Sequence, residues 1–286
     1  MNYSDLKIGI IGYGKVGKAL AWNLRDSGVQ ITAVSNGLHS SIINEHLPEG
    51  CVIAEHFEDV LLTADLVFLT LPDQIIGSFC ETLELNSGHT VIHCSGTLES
   101  TILSSAASLG AETGVFHPLQ TITETDAITE HSGVFTNVTF AITTEFSNTH
   151  KILVHLANML DGSWITLEDH MKTPYHIAAI MACGHLTTLL DLSKTLMLSA
   201  GLNNLESDAA IKTIAEKTMH NYFFYGPKSL TGPTVRHDKD TVLKHIDWLR
   251  ENQPSLIEVY TNLTHHSTKL VARTTEPKST LTQEDQ

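Results

Sequence analysis

The sequence is poor in positive charge. It has 17 Lys and Arg against 32 Asp and Glu, a net charge of -15. No basic stripe is present to neutralise a phosphate backbone, which argues against a nucleic-acid binder. The same balance argues against docking on an anionic membrane surface. Any phosphate-bearing ligand must then be held by local backbone N–H groups and a few placed cations. Long apolar runs are also missing, so no segment reads as membrane-spanning. The first residues read as a strand, not a leader. Cysteine is sparse: Cys51, Cys80, Cys94 and Cys183 are scattered and show no metal-ligand spacing. That usage fits reduced thiols and a cytoplasmic protein. There is no His-Glu-x-x-His or paired-cysteine pattern, so no metal is expected, and His265-His266 reads as surface. No internal repeat is visible. What remains is an ordinary globular composition, 42% hydrophobic over 286 residues. That length buries a sizeable core and suggests two domains.

The most informative segment is Lys7-Ile-Gly-Ile-Ile-Gly12-Tyr-Gly14-Lys-Val-Gly17. An apolar strand runs into Gly-x-Gly-x-x-Gly and then into an amphipathic stretch carrying Val16, Leu20 and Leu24. Gly12 permits the tight turn, Gly14 lets the backbone approach a pyrophosphate, and Gly17 lets the helix pack close on the strand. The N–H groups of the helix start then point at a diphosphate. Tyr13, Lys15 and Val16 complete this cofactor-binding loop.

Strands are expected at 7–11, 30–35, 51–54, 65–71, 89–94 and 112–116, with helices such as 15–27, 73–84 and 99–109 between them. Apolar strands such as Leu66-Val-Phe-Leu69 read as buried on both faces, so the expected fold is α/β with a doubly wound parallel sheet. Further strands are expected at 134–143 and 163–167, around a helix at 146–160. Past residue 168 strand signals stop. Thr173-Pro174 reads as an N-cap followed by proline at the first helical position. One long helix is expected from 174 to 200, apolar on nearly every side, which implies burial against a second subunit and a homodimer. More helices are expected near 204–224, 238–251 (with Asp240 as cap) and 254–273 (starting at Pro254). The domains are thus 1–168, which binds a dinucleotide, and 169–273, all-α, for substrate and dimerisation, followed by a disordered tail at 274–286.

The second strand, Gln30–Ser35, is followed by Asn36-Gly37-Leu38-His39-Ser40-Ser41, without the acidic residue that holds the ribose of NAD. A carboxylate would repel a 2′-phosphate, so its absence favours NADP over NAD. Ser35, Asn36, Ser40 and Ser41 are candidate donors to that phosphate. Three segments at strand ends share one rim. These are Leu71-Pro72-Asp73, where Pro72 holds the chain near the cofactor; His93-Cys94-Ser95-Gly96; and Phe116-His117-Pro118-Leu119-Gln120-Thr121.

Phe116-His-Pro-Leu-Gln-Thr121, Tyr175-His176-Ile-Ala-Ala179 and Leu230-Thr-Gly-Pro-Thr-Val-Arg236 resemble, in order and spacing, the Rossmann-like oxidoreductases with a DUF2520 helical domain. The resemblance spans residues 6–272. It implies a branch of the 6-phosphogluconate-dehydrogenase-like reductases, which pair a nucleotide-binding domain with a helical dimerisation domain. Some members are thought to be an alternative type of ketopantoate reductase, supplying pantoate for coenzyme A synthesis. Two positions depart from the family pattern. Cys183-Gly184 stands where relatives carry Ser-Asn, and Arg236-His237-Asp238 where they read Arg-Gly-Asp. The first departure removes a substrate or proton-relay contact or makes room for a larger ligand.

A nicotinamide reductase must aim a hydride, stabilise charge on oxygen and deliver a proton. Lys172, at the domain junction, is the first candidate donor, and His117 and His176 are the others. Arg236 is placed to grip a substrate carboxylate bidentately. Thr231 shapes the pocket, and Ser95 and Gln120 donate to substrate or nicotinamide. The expected activity is NADPH-dependent reduction of a small keto acid, with 2-dehydropantoate as the named substrate. An imine reductase of pyrroline-carboxylate type and a non-catalytic NADP-sensing protein are the alternatives.

Overall fold

The computed structural model describes residues 6–36, 47–123, 126 and 133–275. The chain divides into two compact units, Met1–Leu186 and Thr187–Gln286. The first is built on an eight-stranded sheet: β1 (Lys7–Ile11), β2 (Gln30–Ser35), β3 (Val52–Ile53), β4 (Leu66–Leu69), β5 (Thr90–His93), β6 (Glu112–Pro118), β7 (Thr139–Thr143) and β8 (Ser163–Thr166). Their spatial order is β3-β2-β1-β4-β5-β6-β7-β8. The chain leaves β1 in one direction and resumes from β4 in the other. The switch point therefore lies between β1 and β4, where open α/β sheets form a crevice at the strand ends.

The sheet is parallel except at one place. β6 and β7 run antiparallel, with Phe116 opposite Ile142 and His117 opposite Ala141. The expected doubly wound parallel sheet is present, with this one antiparallel pair in it. β6 also runs on through Pro118, so His117 lies inside the strand and not after it.

Side chains alternate across the strands, and each face finds its own helices. On one face Ile8, Ile10, Phe68, Phe116 and Phe140 pack with Leu20 and Leu24 of α1 (Lys15–Asp26) and with Leu153 and Leu156 of α5 (Ser147–Met159). On the other, Ile11, Val67 and Leu69 pack with Phe57 and Val60 of α2 (Phe57–Thr63), Ile76 and Phe79 of α3 (Asp73–Cys80) and Ala106 of α4 (Ser104–Ser108). A 3-10 turn, Ser100–Leu103, leads into α4, so the expected helix at 99–109 is two short pieces. Residues 133–137 form turns, which shortens the expected strand at 134–143.

The long helix expected at 174–200 is broken. α6 spans Lys172–Ala182 and α7 spans Gly184–Ser199. Between them Cys183 takes φ -117°, ψ -76°, off the helical geometry. The apolar pattern runs unbroken through the join, which is why periodicity alone reads one helix. Nor is Thr173 a cap: α6 starts one residue earlier, after Met171, and no side chain caps it. The second unit continues with α8 (Asn204–Tyr225), α9 (Lys239–Asn252) and α10 (Ile257–Thr275). A capping box of Asn203 and Glu206 starts α8. Asp238, not Asp240, caps α9 by accepting from the Thr241 N–H. Pro254 opens a 3-10 turn ahead of α10. Lys194 of α7 pairs with Asp208 of α8 at 2.6 Å. No helix among the described residues is long and apolar enough to cross a membrane.

Phe140 is fully buried and stacks on Phe116 with ring centroids 4.3 Å apart. Phe140→Ala should cost about 3–5 kcal/mol by leaving a cavity. Leu62, 83% exposed, should tolerate the same change within about 0.5 kcal/mol. Urea denaturation of the two variants checks this contrast.

Candidate active site

The turn after β1 is fixed by backbone contacts. Gly12 adopts φ 103°, and its N–H donates to the Ser35 carbonyl at 2.7 Å. A side chain on Gly12 would lie 2.6 Å from the Thr70 carbonyl oxygen, and one on Gly17 would run into the carbonyl oxygen of Gly12. The Thr70 hydroxyl donates to that same Gly12 oxygen at 2.5 Å. Gly14 is different: nothing lies within 4 Å of where its Cβ would stand, and no side chain caps α1 behind it. An uncapped helix start beside open backbone is the surface a diphosphate needs, so the residues present fit a dinucleotide.

The remaining loop candidates take distinct places. Tyr13 is buried, and its N–H donates to Asn36 Oδ1 at 3.0 Å. Lys15 is exposed and Val16 half-buried. Ser35 is buried at the end of β2. Asn36, the described residue after β2, retains its amide hydrogens as donors. Ser40 and Ser41 lie outside the described residues. Leu71 is half-buried beyond β4, and Pro72 is the exposed N-cap of α3.

A second cluster forms further along the same rim, wholly within the first unit. Ser95 and Gly96 follow β5 and are buried. The Ser95 hydroxyl donates to Asp73 Oδ2 at 2.8 Å and accepts from the N–H groups of Thr97 and Leu98 at 3.1 and 3.0 Å. The Ser95 N–H donates to His93 Nδ1 at 3.2 Å. His93 Nδ1 is therefore the acceptor, and Nε2 carries the proton towards the Glu99 carbonyl at 3.3 Å. Asp169 grips Ser100 twice, accepting from its N–H at 2.8 Å and its hydroxyl at 2.5 Å. This clamp joins the Ser95–Leu103 segment to the turn that starts α6.

Lys172, the first residue of α6, is only 2% exposed. Burial lowers its amine to about 8, against the opposing pull of Asp169, Glu99 and Asp73. His117 faces the same α6: its Nδ1 lies 2.9 Å from the Tyr175 hydroxyl, and its ring centroid is 6.2 Å from that of His176. Burial, then the neighbouring His176 and Lys172, lowers His117 to about 4. His93 is likewise lowered to about 4, chiefly by burial and then by Lys172.

The structure thus brings Lys172, His117, His176, Ser95 and Gly96 together. Gln120 is exposed and turned to backbone, its Nε2 3.4 Å from the Val134 carbonyl and its Oε1 accepting from the Thr121 N–H. Thr231 and Arg236 are exposed residues of the second unit, next to Gly232 at φ 103°. Asp73, His93, Asp169 and Tyr175 are members of the cluster to which sequence reasoning gave no role. Asp73, His93 and Tyr175 stand in segments already singled out. Asp169 had no signal beyond being an acid three residues before Lys172.

The buried imidazoles make stability depend on pH. Unfolded, His93 titrates near 6.5; folded, near 4. Between these values the unfolded chain binds the extra proton, so stability is full above pH 6.5 and drains as pH falls towards 4. For His93 the loss amounts to about 3 kcal/mol, and His117 acts in the same direction. Urea midpoints should fall from pH 7.5 to pH 5, and His93→Asn should flatten that dependence by roughly one proton.

Two family models match the chain: a Rossmann-like domain over residues 1–118 and a domain of unknown function, DUF2520, over residues 138–267. Among solved structures, the fold is similar to a provisionally named NADP oxidoreductase of Bacteroides fragilis (TM-score 0.73, 20% identity, covering 94% of this chain and 100% of that one). It is also similar to a reductive aminase of Aspergillus terreus in complex with NADPH and ethyl-5-oxohexanoate (0.67, 12%, 94% and 99%). A third is the pyrroline carboxylate reductase of Plasmodium falciparum with NADP bound (0.58, 13%, 94% and 100%). With its two domains in this order, the chain belongs to the family that joins a Rossmann-like domain to a DUF2520 domain.

Proposed function

We propose that the protein is an NADP-dependent reductase of a small keto acid, with 2-dehydropantoate as the substrate. The observation that carries this reading is the buried amine of Lys172 beside His117, on the same sheet rim as an uncapped glycine turn. The names of the structural neighbours support NADP and reductase chemistry: an NADP oxidoreductase, a reductase with NADP bound and an aminase with NADPH. The glycine turn and the start of α1 hold the diphosphate. Asn36 presents no negative charge to a 2′-phosphate. The coenzyme supplies the hydride.

The chain's own side chains do the rest. Lys172, lowered to about 8, is still protonated at neutral pH and poised to release that proton to the developing alkoxide. The Asp73–Ser95 bond and the Asp169–Ser100 clamp hold the surrounding loop in place. In this proposal Gln120, whose Nε2 faces the Val134 carbonyl with one of its two hydrogens, is the donor to the ligand in the first unit. A C=N substrate is the second reading, favoured by the pyrroline carboxylate reductase and reductive aminase among the neighbours. It needs less help from a proton donor.

Purified protein should oxidise NADPH faster than NADH with 2-dehydropantoate, read at the nicotinamide absorbance band. Lys172→Met should lower kcat by about 10²–10⁴ while NADPH still binds by calorimetry. A small effect of Lys172→Met points to the imine. The protonated amine is the active form, so kcat should fall as pH rises through about 8. Asp169→Asn removes a carboxylate that favours the ammonium and should move this limb to lower pH. NADPH binding without turnover of any keto acid or imine would leave only a nucleotide-sensing protein.

The apolar helices also need a cover. Ile177 and Met181 of α6 are 56% and 62% exposed, and Phe223 and Phe224 of α8 are 83% and 74% exposed. Apolar surface of this extent marks an interface, and in this proposal a second copy of the chain covers it. Sedimentation should give a dimer, and Phe223→Asp with Phe224→Asp should shift it to monomer. The free thiols fit the reducing cytoplasm as the compartment.

A further inference from the structure

Two of the three acids around Lys172 are each held by a serine. Asp73 Oδ2 accepts from the Ser95 hydroxyl at 2.8 Å. Asp169 is held more completely: Oδ1 accepts from the Ser100 N–H at 2.8 Å, and Oδ2 from its hydroxyl at 2.5 Å. Both oxygens of Asp169 are therefore committed to one residue. Asp169 stands three residues before Lys172, in the turn that opens α6. Side chains so spaced on a helical turn are neighbours, and an acid there can reach an amine. Yet Lys172 makes no ion pair or hydrogen bond among the described residues, and Asp169 acts on its amine through space.

The Ser100 end of this clamp is anchored independently of Asp169. The Glu99 carbonyl faces His93 Nε2 at 3.3 Å and accepts from the Ile102 N–H at 3.2 Å. The Ser95 hydroxyl accepts from the N–H groups of Thr97 and Leu98. Ser100 is thus fixed by its own loop, and the carboxylate is the partner that can turn. Besides Asp169, the charged or titratable groups facing the amine are Glu99, Asp73, His93 and His117. A released Asp169 has an unpaired ammonium on its own turn, and opposite charges attract far more strongly in contact than at a distance. Such a contact pair would hold the amine proton more tightly and make Lys172 a poorer acid.

We propose that Ser100 is a positioning residue for Lys172: by taking both oxygens of Asp169 it holds this carboxylate out of contact with the amine. Asp169 then supports the ammonium without pairing to it, and the amine stays open to a ligand oxygen. The inference rests on the reductase reading above and goes beyond it by giving Ser100 a role that acts through another residue.

Two readouts test it. One is the basic limb of kcat/KM for 2-dehydropantoate with NADPH, which reports the free enzyme. The other is the titration of Lys172 without substrate. For this the protein carries ¹³C-lysine, and the Lys172 Cε resonance is the one lost in Lys172→Met. In the wild type both midpoints should lie near 8. Ser100→Ala should move both upward by about 1 in pH, since a contact partner of opposite charge favours the charged form. Ser100→Pro also removes the N–H and should move them at least as far. Proline fits there: Ser100 is the first residue of its 3-10 turn, and Glu99 before it is extended at φ -71°, ψ 158°. Ser100→Thr keeps both donors and should titrate as the wild type does. Asp169→Asn should move both midpoints downward, and adding Ser100→Ala to it should change nothing further. Opposite directions for Ser100→Ala and Asp169→Asn are what a merely structural clamp would not give. A Lys172 titration that Ser100→Ala leaves in place or lowers overturns the proposal while leaving the reductase intact. The expected resonance shifts without any NADPH oxidation overturn the reductase and keep the role of Ser100.

Discussion

A lysine amine buried at the rim of a sheet is tolerable only with carboxylates around it, because an unpaired charge in the interior is expensive. Asp169, Glu99 and Asp73 supply that field for Lys172. Two of these acids are also the hydrogen-bond acceptors that organise the neighbouring loop. Asp73 takes the Ser95 hydroxyl, and Asp169 takes both the N–H and hydroxyl of Ser100. The charge on Lys172 and the shape of the Ser95–Leu103 segment are therefore coupled. Removing an acid disturbs both. The opposite pulls on the amine, burial lowering it and the acids raising it, leave it charged at neutral pH yet ready to lose a proton.

The same field constrains the histidines. His93, His117 and Lys172 lie within electrostatic reach of one another, and each positive charge opposes the next. In a low-dielectric site only one of them holds a proton cheaply. The lysine, with the highest intrinsic basicity and three acids, takes it. His93 and His117 stay neutral and act by direction: His93 accepts from Ser95 and donates to the Glu99 carbonyl, while His117 Nδ1 shares a hydrogen bond with the Tyr175 hydroxyl. Neutral imidazoles give the rim donors and acceptors of defined orientation without adding charge that Lys172 would repel.

The glycine turn and the strand pattern were legible because they are local. Each rests on residues adjacent in sequence, and a short unbroken apolar run between helical stretches marks a strand buried on both faces. The cluster around Lys172 was legible only in part. Asp169 meets Ser100 across 69 residues, and His117 meets Tyr175 across 58. No spacing rule reaches that far, so a side chain's role as clamp or tautomer-setting partner appears only once the chain is folded. The broken helix fails for another reason. Its apolar residues continue in phase across Cys183 and Gly184, and periodicity records which faces are apolar, not whether the axis is continuous. The shift of the α9 cap from Asp240 to Asp238 is a choice between two acids two residues apart, which composition does not resolve.

Asn36 shows how structural and ligand demands separate at one position. Its side-chain oxygen accepts from the Tyr13 N–H and so ties the glycine turn to the end of β2. An aspartate could accept that same bond. The architecture alone therefore does not require the amide. What the amide adds is the absence of charge next to the turn, together with two N–H donors that a carboxylate lacks. A 2′-phosphate beside this position would be repelled by the carboxylate and met by the amide. The residue that holds the loop in shape is thus also the one whose chemistry would bear most directly on the choice of pyridine nucleotide in the proposed reductase.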